Sequence, residues 1–370
     1  MEAVGRNYVK MNIRRGIMMK SLKEEIQKLA AELNIQKIGF TKADDFEYLR
    51  ASLIEQKEAG HTSGFEHKNL DERLQPKLSL EDAKTIISIG IAYPNKAEGK
   101  PEKTEYRRGS FSRGSWGEDY HYVLQRKLQA LAEGIEELAG AFNYKAMVDT
   151  GALVDVAVAA RAGLGFIGKN GLLVSKEYGS WMFLGELVTN LEIEEDQPVD
   201  YGCGSCTRCV DFCPTSALLG DGRLNAQRCL SYQTQTRGAM PEEYREKIKT
   251  VIYGCDICQV VCPYNKGINS HFHPEMEPDP ELTNPELLPI LELSNKEFAN
   301  KFGNMAGSWR GKNPIQRNAI YALGNANDRT ALPKLHEIAE NDVRDYMVDA
   351  AEWAIEKLEN KHRIRRRERE

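Results

Sequence analysis

The sequence predicts an α+β protein in three folded parts: an α/β-type domain over residues 19–196, a cysteine-rich module over 197–270, and an all-α end over 291–360. Three observations predict it. Helical and strand-like apolar periods alternate through the first half of the chain. All eight cysteines crowd between Cys203 and Cys262. Beyond a proline-rich stretch, one short helical motif occurs twice.

Residues 1–18 are polar and basic with little apolar period, so they read as a flexible extension, or the chain truly starts at Met18 or Met19. Leu22, Ile26, Leu29 and Leu33 then recur at helical spacing, Ile35 to Phe40 reads as a strand, and 44–59 as a second amphipathic helix. Thr85 to Tyr93 is rich in isoleucine and stops at Pro94, the mark of a buried strand. A loop rich in glycine, lysine and arginine over 95–116 leads to a helix from Tyr120 to Leu138 and a strand from Tyr144 to Val148. Gly151 to Ala162 reads as an alanine- and valine-rich helix. The following Gly163-Leu-Gly165-Phe-Ile-Gly168 matches GxGxxG, which binds dinucleotides when it follows a strand and opens a helix. Here it follows a helix, which favours glycines that let backbone approach something flat or bulky. Leu172 to Val174 and Trp181 to Thr189 read as strands, and the acidic run Glu192-Ile-Glu194-Glu195-Asp196 marks the boundary.

The module opens with Cys203-x2-Cys206-x2-Cys209-x3-Cys213-Pro214, passes Cys229, and closes with Cys255-x2-Cys258-x3-Cys262-Pro263. Such a run, closed by Cys-Pro, is the bacterial ferredoxin pattern for [4Fe–4S] clusters, in which the last cysteine ligates the other cluster. On that rule one cluster takes Cys203, Cys206, Cys209 and Cys262. The other takes Cys213, Cys255 and Cys258, with Cys229 as fourth ligand. One cluster beside a zinc site is the competing assignment, since zinc also uses paired C-x2-C units. A disulfide framework belongs to short secreted chains and leaves the run unexplained.

Five prolines, Pro274, Pro278, Pro280, Pro285 and Pro289, make 271–290 read as an extended connector. Asn318-Ala-Ile-Tyr-Ala-Leu323-Gly-Asn325 is echoed by Trp353-Ala-Ile-Glu-Lys-Leu358-Glu-Asn360, as in HEAT-like repeats, although two unrelated amphipathic helices would give the same pattern. The basic tail 361–370 reads as a disordered, solvated charge run. Arg310, Lys312 and Arg317, just ahead of the first repeat, offer cations to a binding face. The longest clean apolar stretch, Ile86 to Tyr93, is far short of the roughly 20 residues of a membrane span. With no signal peptide or export pattern either, the expected location is cytoplasmic. A net charge of −5 argues against a surface basic all over but leaves room for a local nucleic-acid patch.

Several stretches converge: Val148-Asp149-Thr150-Gly151, then Ala160-Arg161-Ala162-Gly163-Leu164-Gly165-Phe166-Ile167-Gly168-Lys169-Asn170, then the cysteine module with Cys229. Together with Arg107-Arg108-Gly109-Ser110, Asp119-Tyr120-His121 and Tyr253-Gly254-Cys255-Asp256, they make residues 20–360 resemble the epoxyqueuosine reductase family. The resemblance implies an N-terminal domain of nitroreductase-like character that holds cobalamin beside one of two [4Fe–4S] clusters. It implies reduction of epoxyqueuosine to queuosine at the wobble position of tRNA with a GUN anticodon, by a monomer fed from an external low-potential electron donor. The Asp-x-His-x-x-Gly motif of other cobalamin proteins is absent, because Ala59 stands where the aspartate would precede His61. A base-off pocket without a histidine ligand is therefore implied. One departure is Ile315-Gln316 before Arg317-Asn318, where family members carry Trp-Leu, which bears on contact with tRNA.

By the same resemblance Asp149 is the proton donor and a cofactor contact. To donate at neutral pH its pKa must be raised, which burial would do; the competing role is a helix cap ahead of Gly151. Arg73, Arg113, Lys169 and Asn170 match segments of the cofactor pocket, and Ser231 and Arg237 stand where they would reach cofactor or tRNA. Each has an ordinary surface or loop role as its alternative. Tyr120 and His121 read as structural residues of a helix start. Two other functions compete: a reductive dehalogenase, which shares the cofactors but is exported and lacks terminal repeats, and a pure electron-transfer protein, which leaves the large first domain unexplained.

Overall fold

The computed structural model describes residues 21–367, with side chains described to residue 360; the 1–18 extension lies outside the described residues. The first domain comprises α1 (21–32), β1 (Lys37–Lys42), α2 (Arg50–Glu58), α3 (Leu70–Leu74), β2 (Thr85–Ala92), α4 (Tyr120–Ala139), β3 (Tyr144–Met147), α5 (Asp155–Arg161) and β4 (Met182–Thr189). Its four strands form one sheet in the order β1-β2-β4-β3, antiparallel at every pairing. The expected α/β-type alternation thus resolves as α+β.

Strand β2 is buried at every residue because it is an inner strand covered on both faces. Ile87, Ile89, Ile91 and Leu187 pack with Ile26 of α1 and Leu124, Leu128 and Leu131 of α4. The opposite face puts Ile86 and Val188 against Phe46, Leu74 and Val158. Helix α4 buries Val123, Leu124, Leu128, Leu131, Ala132 and Ile135, a three-to-four spacing that lays one apolar stripe on the sheet. It starts at the N-cap Asp119, whose carboxylate accepts the His121 amide at 3.0 Å.

The cysteine module carries α6 (Arg208–Asp211), α7 (Leu230–Gln235), β5 (Val251–Tyr253) and α8 (Ile257–Val260). Ser110–Phe111 of the first domain pairs in parallel with β5, and the Arg113 guanidinium sits 2.9 Å from Asp256. Gly254 lies at φ 72 against Ser112, where a Cβ would collide. The 271–290 stretch, expected to be extended, contains short turns at Pro274–Met276, Pro280–Thr283 and Leu287–Ile290, with Pro274 and Pro280 at first-turn positions where no amide is needed.

Helices α9 (Lys312–Asn325), α10 (Leu332–Asn341) and α11 (Asp345–Arg367) close the chain. The repeated motifs lie on α9 and α11 and pack on each other, with Tyr321 and Trp353 edge to face at 5.3 Å. The backbone of α11 runs to Arg367, so most of the expected disordered tail is helical. Arg317 differs from expectation: it is 0% exposed, and its guanidinium donates to the carbonyls of Gln233, Thr236 and Gly238. It anchors α9 to α7 and presents no charge to a partner. Ile315 and Gln316 are buried as well, so the departure from Trp-Leu falls in the core and touches no outer face.

Candidate active site

The chain leaves β3 at Met147 and turns sharply, with Asp149 at φ 49 in the left-handed region few non-glycine residues adopt. The turn aims its carboxylate across the start of α4, where Oδ2 lies 3.2 Å from His121 Nε2. The other imidazole nitrogen, Nδ1, is 2.7 Å from Asp119 Oδ1. The N-cap of α4 therefore also orients the histidine. The Tyr120 phenol lies within electrostatic reach of Asp149, and its ring stacks on His121 with centroids 4.1 Å apart. The Asp149 side chain is 59% exposed, and α5 begins only at Asp155, so Asp149 caps no helix and the expected helix start at Gly151 moves downstream.

The hydrogen bond from His121 holds the Asp149 carboxyl below its ordinary range; burial opposes this and Tyr120 adds to it. Burial disfavours the charged imidazole, but the carboxylates of Asp119 and Asp149 outweigh it and push His121 up to about 9. At neutral pH the proton sits on His121. Burial does raise the Asp149 carboxyl, as expected, but the His121 hydrogen bond outweighs it and the net shift is downward.

Behind this turn Glu186 of β4 is 0% exposed, and neither of its carboxylate oxygens has a hydrogen-bond partner among the described residues. Nor has the Ser88 hydroxyl, directly opposite on β2. Burial first, then the charges of Asp155 and Asp149, push the Glu186 carboxyl well above its ordinary value. A carboxyl raised on folding contributes fully below its unfolded value of 4.5 and loses that contribution as pH climbs through the folded value. The loss is at most about 1.4 kcal/mol per pH unit. Glu186→Gln removes it, so melts between about pH 5 and about pH 8 should show a Tm advantage of the variant that grows with pH. A constant difference would mean that Glu186 ionises freely in the fold.

Cys203, Cys206, Cys209 and Cys262 line one recess together with Gly168, Lys169, Asn170 and Tyr264. Cys213, Cys229, Cys255 and Cys258 form a second neighbourhood: burial and then adjacent thiolates raise their thiols, Cys255 up to about 12, whereas backbone amides lower Cys213 despite burial. All eight are free thiols. Cys203 Sγ accepts the Lys169 amide at 3.4 Å and Cys213 Sγ the Ala217 amide at 3.3 Å, contacts that suit cluster thiolates. Two groups of four thiols with amide donors fit two [4Fe–4S] clusters.

The glycine run before Lys169 forms a hairpin of Phe166–Ile167 with Leu173–Val174 and opens no helix, which removes the dinucleotide alternative. Asn170 caps this turn by accepting the Leu172 amide, and Lys169 Nζ donates to Gly204 O, so both belong to the first thiol recess. Arg73 lies within electrostatic reach of Asp155, which in turn feels Asp149. Ser231 on α7 accepts from Gln235, Arg237 is exposed, and Arg113 bridges Asn95 O and Asp256 beside the rings of Trp116 and Trp181. Both nitrogens of His121 are engaged by carboxylates, so it is not free to bind a metal. The Arg113 guanidinium and the Trp116 and Trp181 rings beside it are donors and walls that suit the amide side groups of a large ring. Sequence reasoning missed His121, although the Asp-x-His spacing at a helix start carried the signal.

Residues 73–150 match the family model described as Epoxyqueuosine reductase QueG, DUF1730, and residues 202–265 match the 4Fe-4S double cluster binding domain. An epoxyqueuosine reductase of Lactococcus garvieae is 93% identical over 351 residues, which is 95% of this chain and 100% of the relative. That of Bacillus subtilis is 51% identical, covering 91% of this chain and 88% of its own. The structure of epoxyqueuosine reductase from Streptococcus thermophilus matches at TM-score 0.89 and 62% identity, covering 91% of this chain and 90% of that one. A crystal structure of epoxyqueuosine reductase with a tRNA-Tyr epoxyqueuosine-modified stem loop matches at TM-score 0.89 and 51% identity, with the same coverage. Among the described residues no helix is long and apolar enough to cross a membrane. Identity of this depth, sustained from the acid-bearing turn through both thiol groups to the last helices, means that the chain belongs to the epoxyqueuosine reductase family.

Proposed function

We propose that the chain reduces epoxyqueuosine to queuosine at the wobble position of tRNA with a GUN anticodon, served by cobalamin and two [4Fe–4S] clusters. The Asp119–His121–Asp149 relay, standing beside a double-cluster module, carries the reading. The reaction consumes two electrons and two protons and gives an alkene and water. When bound, the corrinoid supplies a two-electron reductant at cobalt, and the clusters supply the electrons singly from an external low-potential donor.

The protein's own residues manage the proton. Half-exposed Asp149 presents its carboxyl to the departing epoxide oxygen, Tyr120 orients it, and the His121 imidazolium reloads it. Asp119 holds the imidazole with Nε2 toward Asp149. Cys203, Cys206, Cys209 and Cys262 would hold one cluster, and Cys213, Cys229, Cys255 and Cys258 the other. Arg73, Arg113, Lys169, Asn170, Ser231 and Arg237 would bind corrinoid side groups, Lys169 and Asn170 from the cluster side.

Anaerobic protein reconstituted with iron, sulfide and cobalamin should convert epoxyqueuosine-containing tRNA, and mass spectrometry of the digested RNA should show loss of one oxygen atom. No conversion by fully loaded protein would overturn the reading. The pH profile tests the proton source. Single-turnover rates should fall as pH rises through about 9, where His121 deprotonates. In His121→Gln the fall should move toward the ordinary carboxylate range; an unmoved limb would assign the proton elsewhere.

A further inference from the structure

We infer that Phe65, Tyr232 and Trp309, clamped by Arg310, form a stacking platform for unpaired anticodon-loop bases beside the wobble nucleotide; this rests on the tRNA reading above. Trp309 is 52% exposed and Phe65 45% exposed, although both are large apolar side chains. Their rings meet edge to face at 5.3 Å, and Phe65 meets Tyr232 at 5.4 Å. The Arg310 guanidinium lies 4.7 Å from the Phe65 centroid and 4.2 Å from that of Trp309, and its buried Nε has no hydrogen-bond partner among the described residues. The neighbouring carboxylate, Glu66, is engaged by the Ser63 and Gly64 amides.

Three parts of the chain build this patch. Phe65 stands on a loop fixed to the cysteine module by Ala226 N–H on His61 O and by Gln227 on Thr62 O. Tyr232 belongs to α7, and Trp309 precedes α9. The patch also connects to the acid. Trp309 Nε1 donates to Gln235 Oε1 at 3.0 Å, and Tyr253 Oη donates to the same oxygen at 3.3 Å. The Tyr253 phenol lies within electrostatic reach of Asp119 and Asp149.

The chemistry selects the occupant. To bring its epoxide to Asp149 the wobble base must leave its stack, at a cost of a few kcal/mol, and its neighbours lose a stacking partner. Exposed aromatic faces replace that partner without reading sequence, and a guanidinium stacked on aromatic rings suits a flat base on an anionic backbone.

The test uses reconstituted protein and a fluorescent RNA hairpin of anticodon stem-loop sequence. Trp309→Ala and Phe65→Ala should each weaken hairpin binding about fivefold to 150-fold, since stacking contributes about 1–3 kcal/mol per base. Trp309→Phe should retain most of the affinity, and the loss in Trp309→Ala should persist at raised salt because stacking releases no counterions. Corrinoid titrations followed by absorption should match the parent protein. Unchanged hairpin affinity in both alanine variants, or a loss confined to corrinoid affinity, overturns the platform. Failure of the parent protein to convert an epoxyqueuosine hairpin would instead overturn the reading on which it rests.

Discussion

Asp149→Asn is expected to slow epoxide reduction by roughly a hundredfold to ten-thousandfold, the range over which a positioned proton donor acts. Asparagine keeps the shape and tolerates the left-handed turn at φ 49, so the loop should stay in place. It cannot pass a proton from His121 to the departing oxygen. Cluster and corrinoid absorption should match the parent protein, so that the loss lies in turnover. If the variant reduces epoxide at the parental rate, the proton reaches oxygen without Asp149. His121, placed 3.2 Å away, would then be the next group to examine.

Cys229→Ser should have an effect as large, by a different route. Cys229 stands at the N-cap of α7, between the two cysteine runs, where its thiol is raised first by burial and then by the neighbouring Cys213. Serine removes one of four thiolates from that group, and about half of the iron and sulfide should be lost. EPR of the reduced variant should retain the signal of the Cys203 group and lose the other, with multiple turnover abolished. A variant that keeps full iron and both signals would show that the second group closes without Cys229. Iron content reports on this directly, whatever happens to activity.

The grouping of the thiols was legible from sequence because cysteines at short fixed spacing share short loops, and Cys262 lines the same recess as Cys203, Cys206 and Cys209. Buried strands such as β2 were legible from eight consecutive residues. The antiparallel order was not, because the period of a strand says nothing about which neighbour it pairs with. His121 escaped notice for a related reason. The same Asp119-Tyr120-His121 letters make an ordinary helix start, and only the turn at Asp149, 28 residues away, brings a second carboxylate to the imidazole. Arg317 misled by residue type: an arginine usually reads as surface, yet its carbonyl partners lie 79 to 84 residues back along the chain. Contacts of that range leave no local mark.

The parallel pairing of Ser110–Phe111 with β5 has a consequence for how this protein can diverge. It joins the acid-bearing domain to the thiol-bearing one through main-chain groups, which every residue except proline supplies. Phe111 and Ile252 on these strands are tied to the core, but the pairing itself demands no side-chain type, so the separation of the two parts outlasts change at the exposed positions around it. Selection is then free to act at exposed positions away from this seam.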